Sequence, residues 1–457
     1  MLGLLASRGL GVVRQTIFNA LFGTGLEANA YYAAFRLPDT LFNLIAGGAL
    51  ISALVPVFLS YEKDRGEHEA WRLTSLVFNV SLVALTVVVI IGEFLAPTFV
   101  SKILVPGYSP PEQALTSTLT RIMLIQPLIL GLGTIATAVL NSKRQFLLPA
   151  VSIAVYNFGV IGGLLVTLAV PKVGIYGPTF GVLVAVALTV IVQIPPLIKQ
   201  GVRYEFIWNL RHPGLHQVLR LLIPNSLAVG IAYMGNIVDT RFTSYLPDSA
   251  SLSALHNAEM IQALPVALLA QAIGQALLPH LTVQAASGRY VRMRQTALKV
   301  MVASILLTVP ISLVLVVIGK PLIHLIFQHG AFNQHSTDLT SLALIGYAVA
   351  LPAMVAANLI AGGFFALKDA VTPFLSNTLG LLTRYGLLVL FFQVLAGKGA
   401  IIILAVPLAL TGGVICETIF TSVMLLWRLQ RRIKTDKGMQ RLLRRRMAAQ
   451  EEPDRSR

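Results

Sequence analysis

Arg8 and Arg14 lie inside the first long apolar stretch of this chain, and Arg36, Asp39 and Asn43 lie inside the second. A charge at the centre of a membrane helix costs roughly 2.5–3.5 kcal/mol on insertion scales, so such groups face protein or water instead of lipid. At helical spacing Gly3, Ser7, Gly11 and Arg14 share one face, whose small residues permit close helix approach or open a cavity. Arg8 sits about 120° from Arg14 around that helix and can reach an adjoining wall. Tyr32, Arg36, Asp39, Thr40, Asn43 and Gly47 form a second stripe, interrupted by Pro38, which distorts a helix and frees backbone carbonyls. The expectation is a cationic pocket of Arg14, Arg8, Arg36 and Asn43 that takes a phosphate-bearing anion. A guanidinium suits a diphosphate because its planar fork donates two hydrogen bonds and stays charged. The competing readings are an Arg36–Asp39 pair at i, i+3, and arginines that snorkel to the membrane surface.

The later stretches carry different chemistry. Asn236, Asp239 and Thr243 share a stripe, and Asn377 and Arg384 follow at i, i+7. Asp239, Thr243 and Asn377 together offer oxygens for a hard cation or a proton, so Na⁺ or proton binding is expected there. A structural ion pair of Asp239 with Arg384 or Arg241 is the competing reading. Glu259 and Glu417 are assigned no role. No Walker-A loop and no HExxH occurs, and His324, His329 and His335 show no ordered ligand spacing. Neither catalytic residues, a metal nor an organic cofactor is therefore expected, and the chain does not read as an enzyme.

The elements that must position these groups are membrane helices. Of 457 residues, 56% are hydrophobic and 12% charged, about half the charge fraction of a soluble domain, and the mean hydropathy is +0.77. Apolar runs near 2–23, 30–59, 73–99, 115–140, 146–170, 176–198, 218–246, 254–284, 297–318, 339–366, 371–396 and 400–427 are each long enough to cross a bilayer. The fold class is all-α and polytopic, with about 12 transmembrane helices. The first span keeps two arginines, so it is a retained helix and not a cleaved leader. Loops after even spans hold twelve Lys/Arg against four after odd spans, which places both termini in the cytoplasm. The net charge of +16 is largely this topological signal plus a basic tail, and it does not imply nucleic acid. That tail, Arg428 to Arg446 with Arg444, Arg445 and Arg446 in a row, is read as a solvated end that can also meet anionic lipid headgroups. Cys416, the single cysteine, excludes an intrachain disulfide.

Landmarks recur along the chain. Leu50–Pro56 resembles Ile273–Pro279, and Pro97/Pro321, Gly107/Gly330 and Pro149/Pro373 repeat at an offset of 223 or 224 residues. Six spans separate equivalent helices, so the repeat is parallel. The domain expectation is a six-helix bundle over 1–198, an interfacial linker over 199–217 with Trp208 and Pro213, a pseudo-symmetric six-helix bundle over 218–427 and a basic cytoplasmic tail over 428–457. Two such bundles around a central cavity suit alternating access.

Several segments carry a family resemblance. Ser7 to Arg14, Leu21 to Gly25, Ala33 to Pro38, Gly48 to Leu50 and Val55 to Phe58 resemble the amino-terminal signature of the MurJ (MviN) family. So do Leu277 to Pro279, Phe327 to Phe332 and Ala366 to Pro373. The resemblance runs over nearly the whole chain. It implies the multidrug/oligosaccharidyl-lipid/polysaccharide exporter fold and flipping of the polyprenyl-diphosphate peptidoglycan precursor lipid II across the inner membrane, driven by an ion gradient or the membrane potential. It also implies membrane lipids and cell-wall synthesis proteins as partners. Arg8 and Arg14 match the family's two span-one arginines. Departures are Phe42-Asn43 in place of an arginine pair, Asn29 for Asp, Gly47 for Glu, Met260 for a span-eight arginine, and about twelve spans where fourteen are common. Two alternatives stay open: another exporter of this superfamily, for polysaccharide lipids or drugs, and a non-transporting membrane scaffold or degenerate paralogue.

Overall fold

The computed structural model describes the backbone of residues 2–145, 147–369 and 371–451, and side chains from residue 8 to 435 apart from 146–150, 153, 228, 232 and 370. The side chains of Gly3, Ser7, Pro149, Arg444, Arg445 and Arg446 lie outside the described residues. In the first repeat the helices are α1 (Leu2–Phe22), α2 (Leu26–Ala34), α3 (Arg36–Ile45), α4 (Gly48–Arg65), α5 (Glu67–Phe99), α6 (Pro110–Met123), α7 (Gln126–Ser142), α8 (Leu147–Ala169), α9 (Tyr176–Ile191) and α10 (Ile194–Lys199). The second contains α11 (Pro213–Thr243), α12 (Ser251–Ala286), α13 (Tyr290–Phe327), α14 (Gln334–Ala366), α15 (Val371–Val394) and α16 (Ala405–Glu451).

Among the described residues, ten helical segments are long and apolar enough to cross a membrane. With α1, 21 residues, and α8, 23 residues, they make the expected twelve. Phe94 is 80% exposed and Val317 75% exposed, as lipid-facing side chains should be. The second span departs most from a simple rod. Pro38 has no N–H to give, and the chain divides into α2 and α3 just before it. A further break falls at Ala46 and Gly47, so one span is built from three helical pieces. The last span also differs from its expected length. α16 continues through the basic segment to Glu451, a stretch rich in Arg, Leu, Met and Gln, which favour helix.

Chain compactness defines two units. The first comprises 1–259, 318–344 and 390–406; the second comprises 260–317, 345–389 and 407–457. In the first unit α11 packs along α3 and α4, so the unit already joins elements of both repeats. Its core has one apolar cluster around Phe18, Tyr31, Tyr32, Leu119 and Met123 and another around Leu50, Phe58, Trp71 and Leu76. The second unit packs around Leu281, Met293, Leu351, Phe364 and Leu429.

Ion pairs staple helix ends within each unit. Lys143, after α7, reaches Glu62 of α4 at 2.5 Å and Glu67 of α5 at 2.6 Å. Burial disfavours its charge, but the two carboxylates outweigh that and raise its pKa above the ordinary lysine value. In the second unit Asp369 meets Arg428 at 2.6 Å and caps α15 through Thr372. Burial opposes its ionisation, yet the Thr372 hydrogen bonds and Arg428 hold its carboxyl below the usual range. The linker runs extended beside α5. Ser75 bonds Arg203 O and Glu205 N, while Asn79 donates to Ile207 O at 3.0 Å. Those side chains satisfy the strap's backbone and leave Tyr204, Phe206 and Trp208 exposed, at the alternating spacing of an extended chain.

α8 and α9 make the closest helix pair of the first unit. A Cβ at Gly163 would lie 2.3 Å from Gly177 O, and one at Gly159 would lie 2.4 Å from Ala185 Cα. At the neighbouring Gly162 a Cβ would meet nothing within 4 Å. Gly163→Ala should therefore destabilise the protein by about 1–3 kcal/mol through overpacking. Gly162→Ala should be neutral or gain about 0.5–1 kcal/mol from lower unfolded-chain entropy. Thermal unfolding in detergent separates the two, and equal effects would contradict this packing.

Candidate functional site

A cavity of about 200 Å³ lies in the first unit, walled by α1, α2, α3, α8 and α12. α1 brings Arg14, Gln15 and Phe18 to it; α2 and its end bring Tyr31, Tyr32 and Phe35. Arg36 and Asp39 come from α3, Tyr156 and Val160 from α8, and His256 from α12. Across Phe35 the backbone stays α-helical (φ −68, ψ −25), so α2 and α3 share a register and present the aromatic and the charged groups on one face.

The two arginines reach the cavity by different supports. Arg14 lies with its guanidinium 6.0 Å from the centroid of the Tyr156 ring, near the outer limit of a cation–π contact. Arg36 Nε donates to Thr240 Oγ1 of α11 at 3.0 Å. Asp39 Oδ1 accepts from Gln126 Nε2 at 3.2 Å. Among the described residues neither arginine has a carboxylate within 4.0 Å, so the Arg36–Asp39 pair considered from the sequence is not formed at contact distance. An arginine fork with free donors in a confined space is the arrangement that binds an oxyanion most strongly.

The structure thus brings Arg14 and Arg36 to one cavity and leaves two other candidates out of its lining. Arg8 is exposed. Asn43 turns its amide to Asp39 O at 2.9 Å, and its Oδ1 packs where a Cβ on Gly47 would lie 2.9 Å away. Asp239 and Thr243 lie on α11 in the first unit, both buried, with Thr243 Oγ1 donating to Asp239 O at 2.7 Å. Asn377 lies on α15 in the second unit. Among the described residues no three His, Cys, Asp or Glu side chains gather as a metal-binding group.

Sequence reasoning missed Gln15, Tyr156 and His256. Gln15 and His256 had a readable signal, a polar side chain inside an apolar stretch. His256 stacks on Tyr32 with ring centroids 4.1 Å apart. Tyr156 had none, since a tyrosine in an apolar helix is commonplace.

Comparison with known proteins places this architecture. Residues 18–447 match the family model for the lipid II flippase MurJ. The chain is 30% identical to the lipid II flippase MurJ of Burkholderia cenocepacia over 378 residues, covering 81% of this chain and 72% of that protein. It is 28% identical to a probable lipid II flippase MurJ of Rhizobium meliloti, covering 86% and 74%. Its fold is similar to a solved lipid II flippase MurJ in an inward closed conformation, with TM-score 0.77, 24% identity, and coverage of 95% of this chain and 92% of that one. It is also similar to an inward-facing MATE family transporter of the MOP superfamily, with TM-score 0.79, 12% identity, and coverage of 94% and 96%. A multi-pass helical membrane protein with a cationic cavity and these relatives, this chain belongs to the lipid II flippase MurJ family.

Proposed function

We propose that this protein carries the polyprenyl-diphosphate peptidoglycan precursor lipid II across the cytoplasmic membrane by alternating access, without chemical conversion of it. The observation that carries the reading is the cavity that holds Arg14 and Arg36 with no carboxylate among the described residues within 4.0 Å of either. A diphosphate brings at least two negative charges, and leaving them unpaired where water is scarce is costly. Two arginines against the cavity's one described carboxylate, Asp39, offset that cost. Arg14 is the principal headgroup ligand and Arg36 its helper; Arg8 and Asn43 contribute at the entrance and not in the cavity wall. Asp239 and Thr243, both on α11, supply oxygens for a coupling Na⁺ or proton. Both termini lie in the cytoplasm, which puts the Gly23–Gly25 turn outside. Membrane lipids and cell-wall synthesis proteins are the remaining partners.

The functional test is rescue of cells depleted of their lipid II flippase, with the flipping rate measured per correctly inserted molecule. The unaltered chain should rescue. Arg14→Ala should lose a charge-assisted bond, about 1.5–3 kcal/mol of headgroup binding. Arg14→Lys should recover only part, since it keeps the charge without the fork. Unaltered rates in both variants would remove Arg14 from the site. In the same assay Asp239→Asn should abolish any dependence on Na⁺ or pH, and an unchanged dependence would remove the coupling role.

Orientation is tested separately with single thiols in a Cys416→Ser background. Lys63→Cys and Ser287→Cys, both at exposed positions, should react with an impermeant reagent only in opened cells, and Leu26→Cys in intact ones. The reverse pattern would invert the topology.

A further inference from the structure

Continuous with the cationic cavity, which Gln15 and Tyr32 line, runs a set of buried amides. Gln15 Nε2 lies 3.1 Å from Asn19 Oδ1, 2.9 Å from Asn257 Oδ1 and 2.5 Å from Tyr32 Oη. Asn19 Nδ2 donates to the same Asn257 Oδ1 at 2.9 Å, and Asn257 Nδ2 donates to Ser253 O at 2.9 Å. The chain of contacts continues through Asn29, whose Oδ1 accepts from Ser253 N at 2.7 Å and Ser253 Oγ at 2.6 Å. Asn29 Nδ2 turns to the carbonyls of Thr24 and Ser249. None of Gln15, Asn19, Asn29, Tyr32, Ser253 and Asn257 is more than 5% exposed.

The network joins α1 and α2 of the first repeat to α12 of the second, all within the first unit. It lies beneath a second layer made of backbone. Gly23 and Gly330 both adopt φ +57, and a Cβ on either would lie 2.5 Å or less from the other repeat's carbonyl, Ala331 O or Ala20 O. Ala331 N donates to Ala20 O at 2.8 Å, and the Thr24 and Ser336 hydroxyls meet at 2.7 Å. Two repeats are thus sealed together at one end, and the inner face of the seal opens on the cavity through Gln15 and Tyr32.

We propose that Gln15, Asn19 and Asn257 are positioning residues that form an uncharged latch holding the outer end of the cavity closed. The inference rests on the alternating-access reading. Amides suit this task because a closed state must satisfy them dry and an open state must release them to water. Buried groups with partners are tolerated, and the same groups gain water as partners on exposure. An ion pair in that place would be harder to form dry from solvated charges. Gln15 also has two amide protons for three acceptors within 3.1 Å. Its bonds are therefore shared, and a phosphate oxygen drawn in by the adjacent Arg14 competes for the same protons. Headgroup binding and latch release are linked through that one side chain.

The test is the distance between spin labels at Leu26→Cys and Gln334→Cys in the full chain, in a Cys416→Ser background. Both positions are exposed and stand at the sealed end, one on each repeat. The parent should give one short-distance population. Asn257→Leu and Gln15→Met, which keep size and remove the hydrogen bonds, should each add a longer-distance population and slow flipping per inserted molecule. If Asn257→Leu does not insert, Gln15→Met alone decides. Distances identical to the parent in an inserted variant would overturn the latch, even with reduced thermal stability. A parent that flips no lipid II, yet whose labels separate in the variants, would leave the latch standing and remove the substrate reading instead.

Discussion

Two guanidinium groups held inside a membrane protein, with no carboxylate among the described residues within 4.0 Å of either, set the constraint on which this structure depends. Such a charge is expensive in hydrocarbon and is ordinarily paired or lifted to the surface. Here Arg36 is fixed by one neutral hydroxyl, Thr240, and Arg14 by the face of Tyr156. Both supports orient the fork without cancelling its charge. Pro38 removes one backbone hydrogen bond from the second span, but Phe35 keeps α-helical angles (φ −68, ψ −25), so the register runs on and Tyr31, Tyr32, Phe35, Arg36 and Asp39 fall on one face of it.

The acid in the cavity refines this picture. Asp39 lines the same space, but its Oδ1 is taken by Gln126 and it does not close on Arg36 within 4.0 Å. The balance among the described lining residues remains two cations to one carboxylate. A cavity of that sign favours anions over cationic drugs, which sets the chain apart from an exporter of cations even though the MATE fold is shared.

Much of the fold was legible in the sequence for a simple physical reason. A bilayer imposes length and apolarity on every span, so twelve spans could be counted. Arg14 and Arg36 were legible because charge inside an apolar run demands an explanation. What stayed hidden was pairing across helices. Periodicity assigns a residue to a face of its own helix and leaves open which helix that face meets. So Asn43 on the Arg36 stripe was placed with the cavity, whereas its amide bonds back within α3. Asn29 was legible only as a lost carboxylate, whereas it is a hub bonded to Ser253 and to the carbonyls of Thr24 and Ser249. Gly47 stands in the sequence as a lost acid, and the structure shows it at a helix break where a Cβ would lie 2.9 Å from Asn43 Oδ1 and 3.0 Å from Asn43 Cα.

The central claim is that the cavity selects a lipid by its diphosphate. Its most direct test uses the purified chain in proteoliposomes, with headgroup arrival at the far leaflet measured for three substrates of matched tail. These are a sugar on a polyprenyl diphosphate, the same sugar on a monophosphate, and a neutral glycolipid. The account predicts fastest transfer of the diphosphate, slower transfer of the monophosphate and none above background for the neutral lipid. Equal transfer of all three, or uptake of a cationic dye in place of the diphosphate, would contradict it.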